Sequence, residues 1–133
     1  MTTEIIQIPS SLQHIHVIED FIDRLRWDFE IDDCLFGNIH LAVVEAVTNA
    51  IVHGNKSDVK KQITFEFSRH DGHLLFSIKD QGKGFDLSEV PDPTLAENKE
   101  RLNGRGVFLI RNLADAVDFK DNGSTLEMVF HLS

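Results

Sequence analysis

Two side chains in HLAVVEAVTNAIVHGN, residues 40–55, are suited to chemistry on a metal-bound phosphate: the Glu45 carboxylate and the Asn49 carboxamide. On a helix they lie about one turn apart, with His53 another turn on, so the three form one polar stripe. A carboxylate there can take a proton from an attacking hydroxyl, and a carboxamide oxygen can bind a hard cation. The pair therefore fits a Mg-nucleotide site. It fits the solvated face of an amphipathic helix as well, and Glu45 and Asn49 alone do not decide between the two.

Two glycine motifs follow. Asp80-Gln81-Gly82-Lys83-Gly84-Phe85 stands where an apolar strand ends. An aspartate at that place can accept a hydrogen bond from an exocyclic amine such as adenine N6, while Gly82 and Gly84 allow a tight turn and close approach to a ligand. A plain strand-end turn uses the same residue types. Gly104-Arg105-Gly106 opens a second apolar segment. Amides at a helix start attract anions, and Arg105 offers a charged hydrogen bond to phosphate.

The elements that must position these residues are legible from periodicity. Residues 4–8 are β-branched and end at Pro9, a first strand. Ser10 or Ser11 caps a helix carrying Ile15, Ile18, Ile22 and Leu25. Its His14 and His16 point to different faces, which argues against a metal pair. Asp32 or Asp33 caps the second helix, whose small apolar face is Val43, Val47, Ala50 and Gly54 and which stops at Gly54. Ile63, Phe65 and Phe67 alternate with polar residues, Asp71-Gly72 makes a hairpin turn, and Leu74, Phe76 and Ile78 return to Asp80.

Residues 81–103 read as a long lid. A short helix (Val107, Leu109, Ile110, Leu113) and two strands around Asp121-Asn122-Gly123 complete the chain. Trp27 and Phe85 read as packing residues. The order β-α-α-β-β-lid-α-β-β predicts an α+β fold of two layers, with helices on one face of a mixed, mainly antiparallel sheet.

The 133 residues predict one domain spanning 1–133. Hydrophobic content of 41% and charged content of 26% are those of a soluble protein, and a net charge of −9 argues against a nucleic-acid or anionic-membrane surface. The single cysteine, Cys34, forms no intrachain disulfide and fits a reducing cytoplasm. No signal peptide and no apolar run near about 18 residues is visible.

Taken in order, these motifs resemble the GHKL (histidine-kinase-like ATPase, Bergerat) family, and within it the stand-alone anti-sigma-factor serine kinases of the RsbW and SpoIIAB type. EAVTNAIVHGN resembles the N-box, DQGKGFD the first glycine box and GRGVFLIRNLAD the second; VPDPTL in the lid is similar to this branch, and Gly123-Ser124-Thr125-Leu126 to the last motif. The resemblance implies ATP and Mg²⁺ as cofactors. It makes Glu45 the general base and Asn49 the ligand of Mg²⁺ and phosphates. Asp80 would read adenine with Gly82, Gly84 and Thr125 around the base, and Gly104, Arg105 and Gly106 would hold the phosphates.

It also implies an anti-anti-sigma (STAS) protein as phosphoacceptor, a sigma factor as sequestered partner, and a homodimer. Sensor histidine kinases share the boxes but need a preceding phosphoacceptor domain, for which the residues before the N-box leave little room. A rival reading from another class is a non-catalytic, nucleotide-gated binding module; the presence of Glu45 counts against it.

Overall fold

The computed structural model describes residues 2–82 and 104–132. Five strands form one sheet in the order β1-β2-β3-β5-β4: β1 Thr2–Pro9, β2 Gln62–His70, β3 His73–Lys79, β4 Ala116–Lys120 and β5 Thr125–His131. All four pairings are antiparallel. Three α-helices lie among the described residues: α1 Ile15–Asp28, α2 Asp33–Asn49 and α3 Gly104–Leu113. The expected α+β fold is observed, and the strands and helices on either side of the lid segment follow the expected order.

Alternation explains which face is covered. Ile63, Phe65 and Phe67 of β2, Leu74, Phe76 and Ile78 of β3, and Leu126, Met128 and Phe130 of β5 are all buried. Their registers place Phe65 opposite Ile78 and Phe76 opposite Met128, so they form rows on one face. Phe21 of α1 meets both Phe65 and Phe67 edge-on at 5.6 Å, fixing α1 to that face. Trp27 departs from its expected packing role: it is 77% exposed, with the Arg26 guanidinium 5.7 Å from its ring.

The Asp32 carboxylate caps α2 by accepting the Leu35 N–H at 2.8 Å. The first helix starts differently from the expectation: Ser11 caps a 3₁₀ turn, Leu12–His14, before α1 begins at Ile15. Ile39, Ala42, Val43, Ala46 and Val47 bury one side of α2. Its last turn, Ala50–Gly54, widens to a π-helix, a feature that periodicity does not announce. Residues Asp33–Gly54 are long and apolar enough to cross a membrane by composition alone, with mean hydropathy 1.5. Their apolar side is packed in the protein core, as in the central helix of a folded domain. On the hairpin, Asp71 takes a positive φ of 53°, which a two-residue turn requires.

Candidate nucleotide pocket

The end of α2, the end of β3 and the start of β5 enclose a cavity of about 620 Å³. That size is in the range of small-molecule sites, roughly 300–1,000 Å³. Ala46, Asn49, Ala50 and His53 form the helix wall; Ile78, Asp80 and Gly82 form the strand-end wall; Phe119, Gly123, Ser124 and Leu126 close a third side.

Two described side chains, His14 and Asn49, carry a buried polar atom without a partner, and of these Asn49 lines the cavity. Its Oδ1 is buried and has no hydrogen-bond partner among the described residues. Leaving a buried acceptor unpaired costs roughly 1–3 kcal/mol, so an unpaired acceptor on a pocket wall points to a ligand. Glu45 is half-buried one turn earlier on α2, beside the wall residue Ala46, and is itself outside the lining.

Asp80 is 8% exposed. Its backbone N–H donates to the Ser124 carbonyl at 2.9 Å, and its Oδ1 accepts the Gly82 N–H at 2.7 Å. Burial pushes the carboxyl above the usual carboxylate range, opposed by the Gly82 N–H and by the charge of Lys61. The site thus holds a desolvated acceptor among apolar neighbours, as recognition of an amine donor requires.

Both glycines next to this carboxylate are dictated by close approach. A Cβ on Gly54 would overlap the Asp80 carboxylate, and a Cβ on Gly82 would overlap the Gly54 carbonyl. The sequence reading assigned Gly82 to approach by a ligand; here its missing side chain also lets β3 meet the end of the π-turn.

Thr125 is buried, and its hydroxyl donates to the Asp121 carboxylate at 2.9 Å. Its neighbour Ser124 is the residue on the pocket wall. Thr125 therefore stands behind the wall and braces the β4–β5 turn. Gly104, Arg105 and Gly106 begin α3 at its first turn, as expected for an anion-accepting helix start. The Arg105 side chain, Gly84 and the rest of the lid at 83–103 lie outside the described residues.

Polar wall residues without a role in the sequence reading include Asn55, Lys56, Asp58 and Lys61. Lys56 and Lys61 bring positive charge to the rim. Asn55, 1% exposed, sits under the Asp80 turn. The signal for Asn55 was present in its place as the last letter of the N-box stretch, yet a polar residue after a helix-ending glycine reads as loop.

A family model described as histidine kinase-like ATPase domain matches residues 8–130. The chain is 27% identical over 140 residues to the serine-protein kinase RsbW of Listeria innocua, covering 96% of this chain and 86% of that one. It is 31% identical over 100 residues to the anti-sigma F factor of Bacillus subtilis, covering 71% of this chain and 68% of that one. Among solved structures, the RsbU and RsbW domains of a Mycobacterium tuberculosis protein superpose with a TM-score of 0.71 at 16% identity. That match covers 99% of this chain and 32% of the longer one, and it bears on the fold.

Proposed function

The chain belongs to the histidine kinase-like ATPase domain family, and we propose that it is an ATP-dependent protein serine/threonine kinase that also acts as an anti-sigma factor. One observation carries this reading: one cavity is lined both by Asn49, whose buried Oδ1 has no hydrogen-bond partner among the described residues, and by Asp80, with its buried carboxylate. An oxygen ligand for a phosphate-bound cation, paired with an acceptor for a base amine, matches the two ends of a nucleoside triphosphate.

In this reading Asp80 accepts from adenine N6, Gly82 and Gly84 keep the backbone out of the base's way, and Thr125 braces the Ser124 wall. The α3 start at Gly104, Arg105 and Gly106 receives the phosphates through helix-end amides. Asn49 Oδ1 is a hard oxygen ligand of the kind Mg²⁺ takes, and a bound Mg²⁺ would neutralise charge on the transferring phosphoryl group. Glu45 accepts the proton of the partner's serine or threonine hydroxyl while that oxygen bonds to the γ-phosphorus and the bond to the β-phosphate oxygen breaks, releasing ADP.

The phosphoacceptor is a STAS-type anti-anti-sigma protein, and the unmodified cycle leaves a sigma factor sequestered. The single domain, residues 1–133, works in the cytoplasm as a homodimer. The outer strand β1 supports the dimer, since it is a sheet edge on which Ile5 is 61% exposed. The test is transfer of labelled γ-phosphate from Mg-ATP to purified STAS-type proteins offered as acceptors. Label on the partner supports the kinase; tight ATP binding with no label on any STAS partner would reduce the protein to a nucleotide-gated binding module.

A further inference from the structure

Three successive backbone N–H groups at the end of β3 are each committed. Asp80 N–H donates to Ser124, Gln81 N–H donates to Asn55 Oδ1 at 2.7 Å, and Gly82 N–H donates to the Asp80 carboxylate. Only the middle one is held by a side chain from another element. Asn55 in turn uses both amide hydrogens: Nδ2 donates to Ser10 Oγ at 2.7 Å and to the Gln62 carbonyl at 3.1 Å. Its backbone N–H donates to Ala50 at 2.8 Å, closing the π-turn.

Ser10 is fully buried, and both its N–H and its hydroxyl donate to the Lys61 carbonyl, at 3.0 and 2.9 Å. Gln81 is tied a second time, its Oε1 accepting the Gln62 N–H at 2.6 Å. One carboxamide thus connects the end of β1, the start of β2, the end of the α2 segment and the turn that carries Asp80. The backbone carbonyl of Lys61, whose charge acts on Asp80, is held in the same knot.

We propose that Asn55 is the positioning residue of the base pocket: through Gln81 it fixes where the Asp80 carboxylate points, and so it sets discrimination for a purine bearing an exocyclic amine. A short buried amide is suited to the task because it can satisfy donors and acceptors from three directions at once. This inference rests on the reading of Asp80 as the base-reading group.

The test is the ratio of dissociation constants for purine riboside triphosphate, which lacks the amine, and ATP, in the parent, Asn55→Ala, Ser10→Ala and Asp80→Ala. Asn55→Ala should lower that ratio by about tenfold, the scale of one lost hydrogen bond to a charged group, while binding of the two nucleotides converges. Ser10→Ala, which removes one of the two acceptors holding the amide, should lower it by a smaller factor of about two to three.

Equal weakening of both nucleotides by Asn55→Ala, or a lower melting temperature with the ratio kept, overturns the inference. Should Asn55→Ala fail to fold by circular dichroism, Ser10→Ala carries the test, and an unchanged ratio there overturns it. A ratio that survives Asp80→Ala would instead remove the base-reading role of Asp80; one that collapses in Asp80→Ala and persists in Asn55→Ala removes only the role of Asn55.

Discussion

Gly54 and Asp80 meet with no room for a side chain between them: a methyl group on Gly54 would occupy the space of the Asp80 carboxylate. The last turn of the α2 segment and the end of β3 are therefore fitted to each other at the point where the pocket reads its ligand. Gly54→Ala must either displace Asp80 or push the helix end away. It should lower ATP affinity by at least tenfold and destabilise the fold by about 1–3 kcal/mol, the usual cost of overpacking. Calorimetric titration and urea unfolding check the two effects; unchanged ATP affinity would show that the carboxylate does not depend on this contact.

The Asp80 carboxyl gives a pH-dependent prediction. Burial raises its folded-state pKa, so the folded protein binds that proton more tightly than the unfolded chain. At neutral pH the ionised, desolvated carboxylate opposes folding, and the opposition fades as pH falls through the folded pKa toward the unfolded value of about 3.9. Asp80→Asn should therefore stabilise the nucleotide-free protein at pH 7, with the gain shrinking in acid. Chemical denaturation across the acidic range measures it, and a gain independent of pH would refute the assignment of cause.

Asn49 and Glu45 should separate cleanly. Asn49→Ala removes the partnerless oxygen and is expected to abolish the Mg²⁺-dependent part of ATP binding, whereas Glu45→Ala should bind ATP like the parent. Calorimetry with and without Mg²⁺ distinguishes them. Undiminished Mg²⁺-dependent affinity in Asn49→Ala would contradict its role as ligand.

The cap of α2 offers a control in which stability changes and the site does not. Asp32 accepts the Leu35 N–H far along the helix from the pocket residues. Asp32→Ala should cost about 1 kcal/mol of folding stability and leave ATP affinity unchanged. A matching loss of affinity would mean that the helix start and the pocket are coupled.

Much of this fold was readable because burial on one face imposes a period. The alternation at Ile63, Phe65 and Phe67 and at Leu74, Phe76 and Ile78 located a hairpin, and Asp71-Gly72 located its turn. Of the chemistry-bearing residues, Asn49 on α2 and Asp80 and Gly82 of the first glycine motif line the pocket, so the helix and the strand end that build it were legible. What periodicity could not express is contact between distant segments. Nothing local in the sequence says that Gly54 faces Asp80, that Asn55 reaches Ser10 and Gln81, or that Ser124 rather than Thr125 meets the cavity. The π-turn at Ala50–Gly54 was hidden for the same reason, since it is held by the Asn55 N–H beyond the helix's own pattern. Trp27 shows the converse error: residue type predicted packing, and its place near the end of α1 leaves it exposed.

The central claim is that this pocket transfers phosphate and that Glu45 serves the transfer rather than the binding. The most direct measurement is the single-turnover rate of phosphate addition to the STAS partner, followed by intact mass, for the parent and Glu45→Ala, both saturated with Mg-ATP. The parent should add one phosphate, and Glu45→Ala should do so at a rate about 10²–10⁴-fold lower. Equal rates for the two proteins would contradict the claim.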